Sequence, residues 1–562
     1  MLLIFALVPV IIAVLLYISP FEKMAKWFAV IGQICLSGFA FFIFMSCKSG
    51  DIVTRIGNYE GFLGILLKAD TLTSVFLMLT SFIFLLGIVY CFNEKYSRLF
   101  WFLLFLWQGL LNGVFLSNDV FNIFVLVEVS TVVVAVLIMF NRDNRSMYDG
   151  MLYLMVNIVA MQFYLFGAGY LYKLTGTLDM TATAQALGRL DKPSLILPFA
   201  LIMTSICLKC ALVPLFSWLP RAHGTPGAPS AVSAILSGLH IKSGVYLFIR
   251  FQAVFAEASL HEFFLIVGII TGVIGALLAL SQTDVKLILA YSTISQIGMI
   301  MIGLNASDIY AYTGGVYHIF NHALFKSALF LCAGIITYAY GTRDITRIRG
   351  VLRRYPLVGV ATILAILGIT GTPLFNGSIS KYFITAGVSW PIQVPAILIN
   401  LGTITVFIKY STMLFKSPVR QSVGSPEHTE GSTRLESDSS EQHVSTQPAC
   451  QTIDKLPEKL DICQQIVVLI LGALCFAGGV FGERSIEFLF GASVDVDAAG
   501  YAEKTGLFAL SVIVGYLLFR YFVDKHPLFS RIRGIDMDFR WICASIGGFF
   551  AATLIALFVT YG

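Results

Sequence analysis

The chain has 562 residues, 57% of them hydrophobic and 12% charged, with a mean hydropathy of +0.84 and a formal net charge of +5. This is too apolar and too charge-poor for a soluble globular protein, and the small basic excess lies mainly in loops, which is a membrane pattern and excludes a nucleic-acid-binding role. The chain reads as a polytopic membrane protein.

Apolar stretches of about 20 residues, enough to cross a bilayer, recur from Leu2 to Val559, about 14–16 in all. In chain order they are expected at 2–18, 27–47, 70–93, 98–117, 119–140, 150–173, 193–216 and 228–254. Then follow 260–281, 284–304, 312–340, 356–385, 391–415, 462–481, 504–523 and 539–560. In lipid each backbone group must be satisfied within its own segment, so an all-α fold is expected. The run Leu2 to Ile18 has neither a basic leader nor a small-residue cleavage signal before Pro20, so it reads as a retained span.

The loop after the eleventh span carries Arg343, Arg347, Arg349, Arg353 and Arg354 against Asp344, which places it in the cytoplasm. The N-terminus then lies outside. The same alternation puts 416–461 in the cytoplasm as a polar, disordered insert rich in Ser, Thr, Glu, Gln and Pro. Thr177 to Arg189 is expected as a short amphipathic segment outside. Most of the ten cysteines sit in apolar runs, and Cys207 and Cys210 form a lone pair around Lys209, so no metal site and no cofactor is expected.

Charges at membrane depth cost roughly 2.5–3.5 kcal/mol each on insertion scales, so a chain that keeps several uses them. Glu128 falls mid-span, where a lone carboxylate needs a cation partner or a hydroxyl such as Ser130. Lys209 lies five residues before Pro214, and its proton affinity would change as an acidic partner moves. Lys242 is deep in the eighth span and could compete with Lys209 for Glu128. His240, two residues away on another face, reads equally as structural or functional. His318, His322 and Lys326 are spaced by four residues and share one stripe of a helix, a ladder suited to passing protons. Lys381 closes the series, eight residues after Pro373.

Pro214 and Pro373 break two spans, each removing a backbone donor and freeing a carbonyl one turn back beside the lysines. Val213-Pro214-Leu-Phe recurs as Thr372-Pro373-Leu-Phe five spans later. An odd number of spans per unit inverts the second copy relative to the first, and inverted repeats with broken helices mark transporters.

The stretches Asn118 to Glu128, Lys209 to Pro220, Ala228 to Leu239, Leu289 to Gly298 and His318 to Lys326 resemble the antiporter-like subunits shared by Mrp-type cation/proton antiporters, respiratory complex I and membrane-bound hydrogenases. The resemblance runs over about residues 60–415, and 57–70 look most like the D-type Mrp subunit. It implies N-terminal helices over 1–97, two inverted five-helix repeats at 98–254 and 260–415, and C-terminal helices over 462–562. It also implies a proton channel in which Glu128 and Lys209 are the coupling pair, Lys242 connects inward, and His322, Lys326 and Lys381 lead to the exit. Two departures stand out: Arg221 replaces the family's Asp in Trp-Leu-Pro-Asp-Ala-His, and the 416–461 insert is atypical.

The expected function is proton translocation within a multisubunit Mrp-type sodium or other monovalent cation/proton antiporter in the cell membrane, with other membrane subunits, protons, a monovalent cation and lipid as partners. The alternative is the pump module of a complex I-like NADH:quinone oxidoreductase or membrane-bound hydrogenase. The chain is not expected to be catalytic by itself. A stand-alone permease would need a substrate-sized pocket, and the charges here form a file instead.

Overall fold

The computed structural model describes residues 1–20, 22–57, 64–415, 459–523, 526–534 and 537–562. Most of the polar insert, and residues 58–63 of the segment most like the D-type Mrp chain, lie outside the described residues.

The chain begins with α1 (Leu2–Ile18) and α2 (Glu22–Cys47), a hairpin of β1 (Ile52–Arg55) and β2 (Leu66–Ala69), then α3 (Thr71–Tyr90). A first group follows: α4 (Arg98–Leu116), α5 (Val120–Ile138), α6 (Asn144–Thr175), α7 (Met180–Leu187), α8 (Lys192–Lys209), α9 (Trp218–Gly224), α10 (Ser230–Ile235) and α11 (Ile241–Val254). A π-turn, Leu236–His240, joins α10 to α11. The second group is α12 (His261–Ser281), α13 (Val285–Asn305), α14 (Ile309–Tyr340), α15 (Val351–Arg354), α16 (Pro356–Thr370), α17 (Asn376–Ala386) and α18 (Trp390–Phe415). The chain closes with α19 (Ile462–Val480), α20 (Gly482–Phe490), α21 (Ala498–Leu518), α22 (Pro527–Arg533) and α23 (Phe539–Tyr561).

Among the described residues, fourteen helices are long and apolar enough to cross a membrane, and Leu2–Ile18 and Pro356–Thr370 are shorter apolar helices. The all-helical expectation needs one correction, the antiparallel hairpin that pairs Ile52 with Ala69 and Arg55 with Leu66. Satisfying the backbone within one segment is obligatory only in lipid, and this hairpin lies between spans. The amphipathic segment expected at Thr177 to Arg189 contains α7.

Aspartates start the helices. The carboxylates of Asp70, Asp119, Asp143, Asp179, Asp284 and Asp308 each accept from a backbone N–H in the first turn, satisfying donors that a helix start leaves open. Glycines end them: Gly176 and Gly341 adopt left-handed caps after two helices of 32 residues each. The same sequence interval carries Asp119, Asp143 and Gly176 onto Asp284, Asp308 and Gly341. Asp119 bridges to Asp179, and at the same interval Asp284 bridges to Asp344.

The span Ser230–Val254 is buried over most of its length and packs against both groups, α8 on one side and α14 on the other. Small residues permit its close contacts. A Cβ on Gly238 would fall 2.4 Å from the Ser327 hydroxyl of α14, and one on Gly244 would fall 2.8 Å from the Lys209 carbonyl carbon.

Candidate functional site

The first break follows Lys209 at the end of α8, where Ala211 turns at a φ of 54°, a conformation that costs a residue with a Cβ roughly 1–2 kcal/mol. The interrupted backbone is satisfied by side chains: the Trp218 indole donates to Leu208 O at 2.8 Å, and Thr271 Oγ1 accepts from Val213 N at 3.0 Å. Lys209 Nζ donates to Thr131 Oγ1 at 2.8 Å. Thr131 is three residues past Glu128 on α5, so both face the same way. Glu128 is half-buried, and its Oε1 has no hydrogen-bond partner among the described residues. Ser130 bonds instead to Val127 O at 2.8 Å, so the hydroxyl-bonded alternative for Glu128 is not realised. Lys209 and Glu128 are each the charge that acts on the other.

Lys242, fully buried, donates to Ser237 O, and its charged neighbour is Lys326. The expected competition with Lys209 for Glu128 is therefore not seen, because Lys242 faces the second group of helices. The Ser237 hydroxyl pairs with Thr293 Oγ1 at 2.9 Å. One residue away, Ser292 Oγ accepts from Lys326 Nζ, which also donates to Leu289 O at 2.8 Å. Two hydroxyls of α13 thus stand between the lysines of α11 and α14.

The ladder on α14 is fully buried. His322 has no partner on either ring nitrogen among the described residues, and its ring centre lies 6.4 Å from that of His318. Lys242, Lys326, His318 and Lys381 all act on it electrostatically. His318 is tied on both nitrogens, Nδ1 to Ser380 Oγ at 2.8 Å and Nε2 to Gln296 Oε1 at 3.1 Å. Beside Ser380, Lys381 Nζ donates to Ile369 O at 2.6 Å and to Asn400 Oδ1 at 2.8 Å. Ile369 O is the carbonyl that Pro373 frees four residues back, so the second proline acts as expected. The carbonyl of Cys210, four residues before Pro214, has no such side-chain partner among the described residues. The first lysine precedes its break and the second follows it.

A cavity of about 70 Å³ opens beside Lys381, lined by Asn400, Tyr501, Lys504 and Thr505 among others. It lies where α17, α18 and α21 meet.

A family model described as "NADH:quinone oxidoreductase/Mrp antiporter, TM" matches residues 117–408. The chain belongs to this family. Within the NADH:quinone oxidoreductase/Mrp antiporter family it is similar to the D-type Na(+)/H(+) antiporter chain of Alkalihalophilus pseudofirmus, 30% identical over 69% of this chain and 80% of the relative. It is also similar to the N-type NADH-quinone oxidoreductase chain of Desulforudis audaxviator, 32% identical over 58% of this chain and 66% of that one. Its fold matches a chain in the structure of the Mrp complex from Dietzia sp. with a TM-score of 0.76 at 23% identity, covering 95% and 99% of the two chains.

Arg221, one of the two departures from the resembled pattern, has partners of its own. Its guanidinium lies 3.5 Å from Asp149 of α6 and donates to Met537 O at 2.9 Å, just before α23. The reversed charge is thus matched locally. Sequence reading missed Thr131, Ser237, Ser292, Gln296, Ser380 and Asn400, the neutral side chains that hold the charged ones. Ser292, Thr293 and Gln296, recurring on one face of an apolar helix, were the available signal.

Proposed function

We propose that this chain is the proton-translocating membrane subunit of a multisubunit Mrp-type monovalent cation (sodium)/proton antiporter. The observation that carries the proposal is two series of groups at membrane depth: half-buried Glu128 with Lys209 and its acceptor Thr131, and the buried set Lys242, Lys326, His322, His318 and Lys381 linked by charge, hydroxyls and an amide; the step from Lys209 to Lys242 is part of the proposal. A charged amine at this depth is tolerated where protein groups solvate it, and a proton moves along the file when an amine exchanges one partner for another.

At the Glu128 end, Lys209 has a neutral acceptor in Thr131 and an anionic one in Glu128. Approach of the carboxylate favours the charged amine, and withdrawal favours its release of a proton towards Lys242. At the other end, Lys381 faces the cavity at α21, the proposed mouth. Residues 98–254 and 260–415 are proposed as two inverted five-helix repeats, a reading supported by the matched aspartate caps, glycine caps and 32-residue helices. With the arginine loop in the cytoplasm by its charge, the N-terminus and the mouth at α21 face outside, and 416–461 faces inside.

Glu128 is half-exposed beside an apolar stripe of α5 that includes Val125, Val129 and Val132. A carboxylate left facing acyl chains is costly, so this face of α5 is proposed to dock another membrane subunit of the assembly. Replacing Lys209 with Ala in the assembled complex should abolish cation-dependent proton flux in inverted membrane vesicles while subunit association persists. Undiminished flux would remove the proposal. Flux that requires electron transfer, such as from NADH to a quinone, instead of a cation gradient would select the redox-driven alternative.

A further inference from the structure

His240 stands outside the lysine file, yet it is 4% exposed and bonded on both ring nitrogens. Trp107 Nε1 donates to its Nδ1 at 3.4 Å, and the Tyr153 hydroxyl lies 3.0 Å from its Nε2. An indole can only donate, so Nδ1 must be the acceptor and the ring hydrogen of a neutral imidazole sits on Nε2, a tautomer assigned from the bonding pattern. The Tyr153 oxygen then receives Nε2–H, which leaves its own hydrogen free to turn towards its other polar neighbour, the Thr131 side chain. Thr131 donates its hydrogen to Val127 O at 2.9 Å. Its lone pairs are left for Tyr153 and for Lys209 Nζ. Every donor in the chain from Trp107 to Thr131 therefore points the same way.

The second group of helices holds a comparable cluster with a different connectivity. The interval that carries Asp119 onto Asp284 also carries Thr131 onto Gln296 and Tyr153 onto His318. There His318 bonds Gln296 at 3.1 Å, and Gln296 donates to Thr403 of α18 at 3.0 Å. In each group, then, one polar residue from each of three corresponding helices meets beside a lysine-bearing break.

We infer that His240 is a positioning residue for Lys209: neutral and fixed in one tautomer, it orients Tyr153 and so holds Thr131 as a pure acceptor for the Lys209 amine. It carries no proton itself. Its effect is to keep a neutral acceptor ready to compete with Glu128. The inference rests on the proposed relay, and the two fail differently, since full flux in Lys209→Ala removes the relay whatever His240 does.

The test is cation-dependent proton flux against pH, in inverted vesicles holding the whole complex, for His240→Gln, His240→Leu, Tyr153→Phe and His240→Leu/Tyr153→Phe. A glutamine can accept from Trp107 and donate to Tyr153 but cannot titrate. His240→Gln should keep flux within about twofold of the unaltered protein, with the same pH profile, because both hydrogen bonds survive. His240→Leu and Tyr153→Phe should each lower flux on the order of fivefold, the worth of one hydrogen bond, and the double variant should fall no further. Flux in His240→Gln as low as in His240→Leu would overturn the inference, as would unaltered flux in Tyr153→Phe. Tyr153→Phe removes a single oxygen, so it decides the matter should His240→Leu fail to assemble.

Discussion

Lys209 and Glu128 are each other's charged neighbours, yet the Lys209 amine bonds to Thr131, 2.8 Å away and one turn beyond Glu128 on α5. Among the described residues one oxygen of the carboxylate is unpaired, and the amine has a neutral place to rest. Two nearby acceptors of different charge are what a partner-exchange relay needs, since the amine's hold on its proton differs between them.

Removing either acceptor should therefore impair transport in a graded way. Thr131→Val is expected to lower cation-dependent proton flux on the order of fivefold, because the neutral acceptor is lost while the ion pair survives. Glu128→Gln should cost more than about tenfold, since a charged partner is worth more than a neutral one. Vesicle flux normalised to assembled complex checks both, and a Thr131→Val loss as deep as that of Glu128→Gln would reassign the pair.

Close backbone approach sets where Lys209 stands. A Cβ at Gly244 would lie 2.8 Å from the Lys209 carbonyl carbon and 3.0 Å from Cys210 N, atoms of the broken segment that cannot rotate away. Gly244→Ala should cost about 1–3 kcal/mol as overpacking and should displace the Lys209 backbone. A lowered unfolding temperature in detergent together with reduced flux is the expected result. An unchanged unfolding temperature would show that the helices part freely.

At the far end, Asn400 is the side-chain acceptor for Lys381, which among the described residues otherwise donates only to Ile369 O. Asn400→Leu leaves the amine one bond short in a buried place, so flux should fall about threefold to tenfold. Lys381→Met should fall further. Equal flux in Asn400→Leu and the unaltered chain would place the exit elsewhere.

At the boundary just before the span Thr71–Tyr90, Asp70 caps α3 and pairs at 2.6 Å with Arg250, near the end of α11. Burial alone would raise its carboxyl, but the hydrogen bond and charge of Arg250 outweigh it, and the group titrates below the ordinary carboxylate range. The unfolded chain then binds the proton first as pH falls, so this contribution is complete above an unfolded value of about 4 and is lost as pH drops through the lower folded value. Asp70→Asn retains a helix cap but loses the charge. It should destabilise by about 1–3 kcal/mol at pH 7, and its gap from the unaltered protein in unfolding temperature should close only below about pH 4. A gap that closes near pH 6 would point to another group.

What was readable in the chain followed from cost. A lysine, glutamate or histidine inside an apolar span is expensive wherever it ends up, so Glu128, Lys209, Lys242, His318, His322, Lys326 and Lys381 could be singled out before any fold was known. The hairpin at Ile52–Arg55 could not, because its two short strands find each other across a loop and carry no long apolar period. Asn400 was equally hidden, since amides and hydroxyls are cheap enough in a helix to occur without a role.

The sequence by itself determined the membrane class, the broken spans and which residues bear charge, all properties of one segment and its surrounding solvent. Partner choice was decided by the tertiary structure alone. That Lys209 meets Thr131, that Lys242 turns to the second group of helices, and that His240 reaches Tyr153 depend on how closely helices approach at Gly238 and Gly244 and on the rotation introduced by the π-turn. Hydrogen bonds act over about 3 Å, and no periodicity within one helix can report a distance to another.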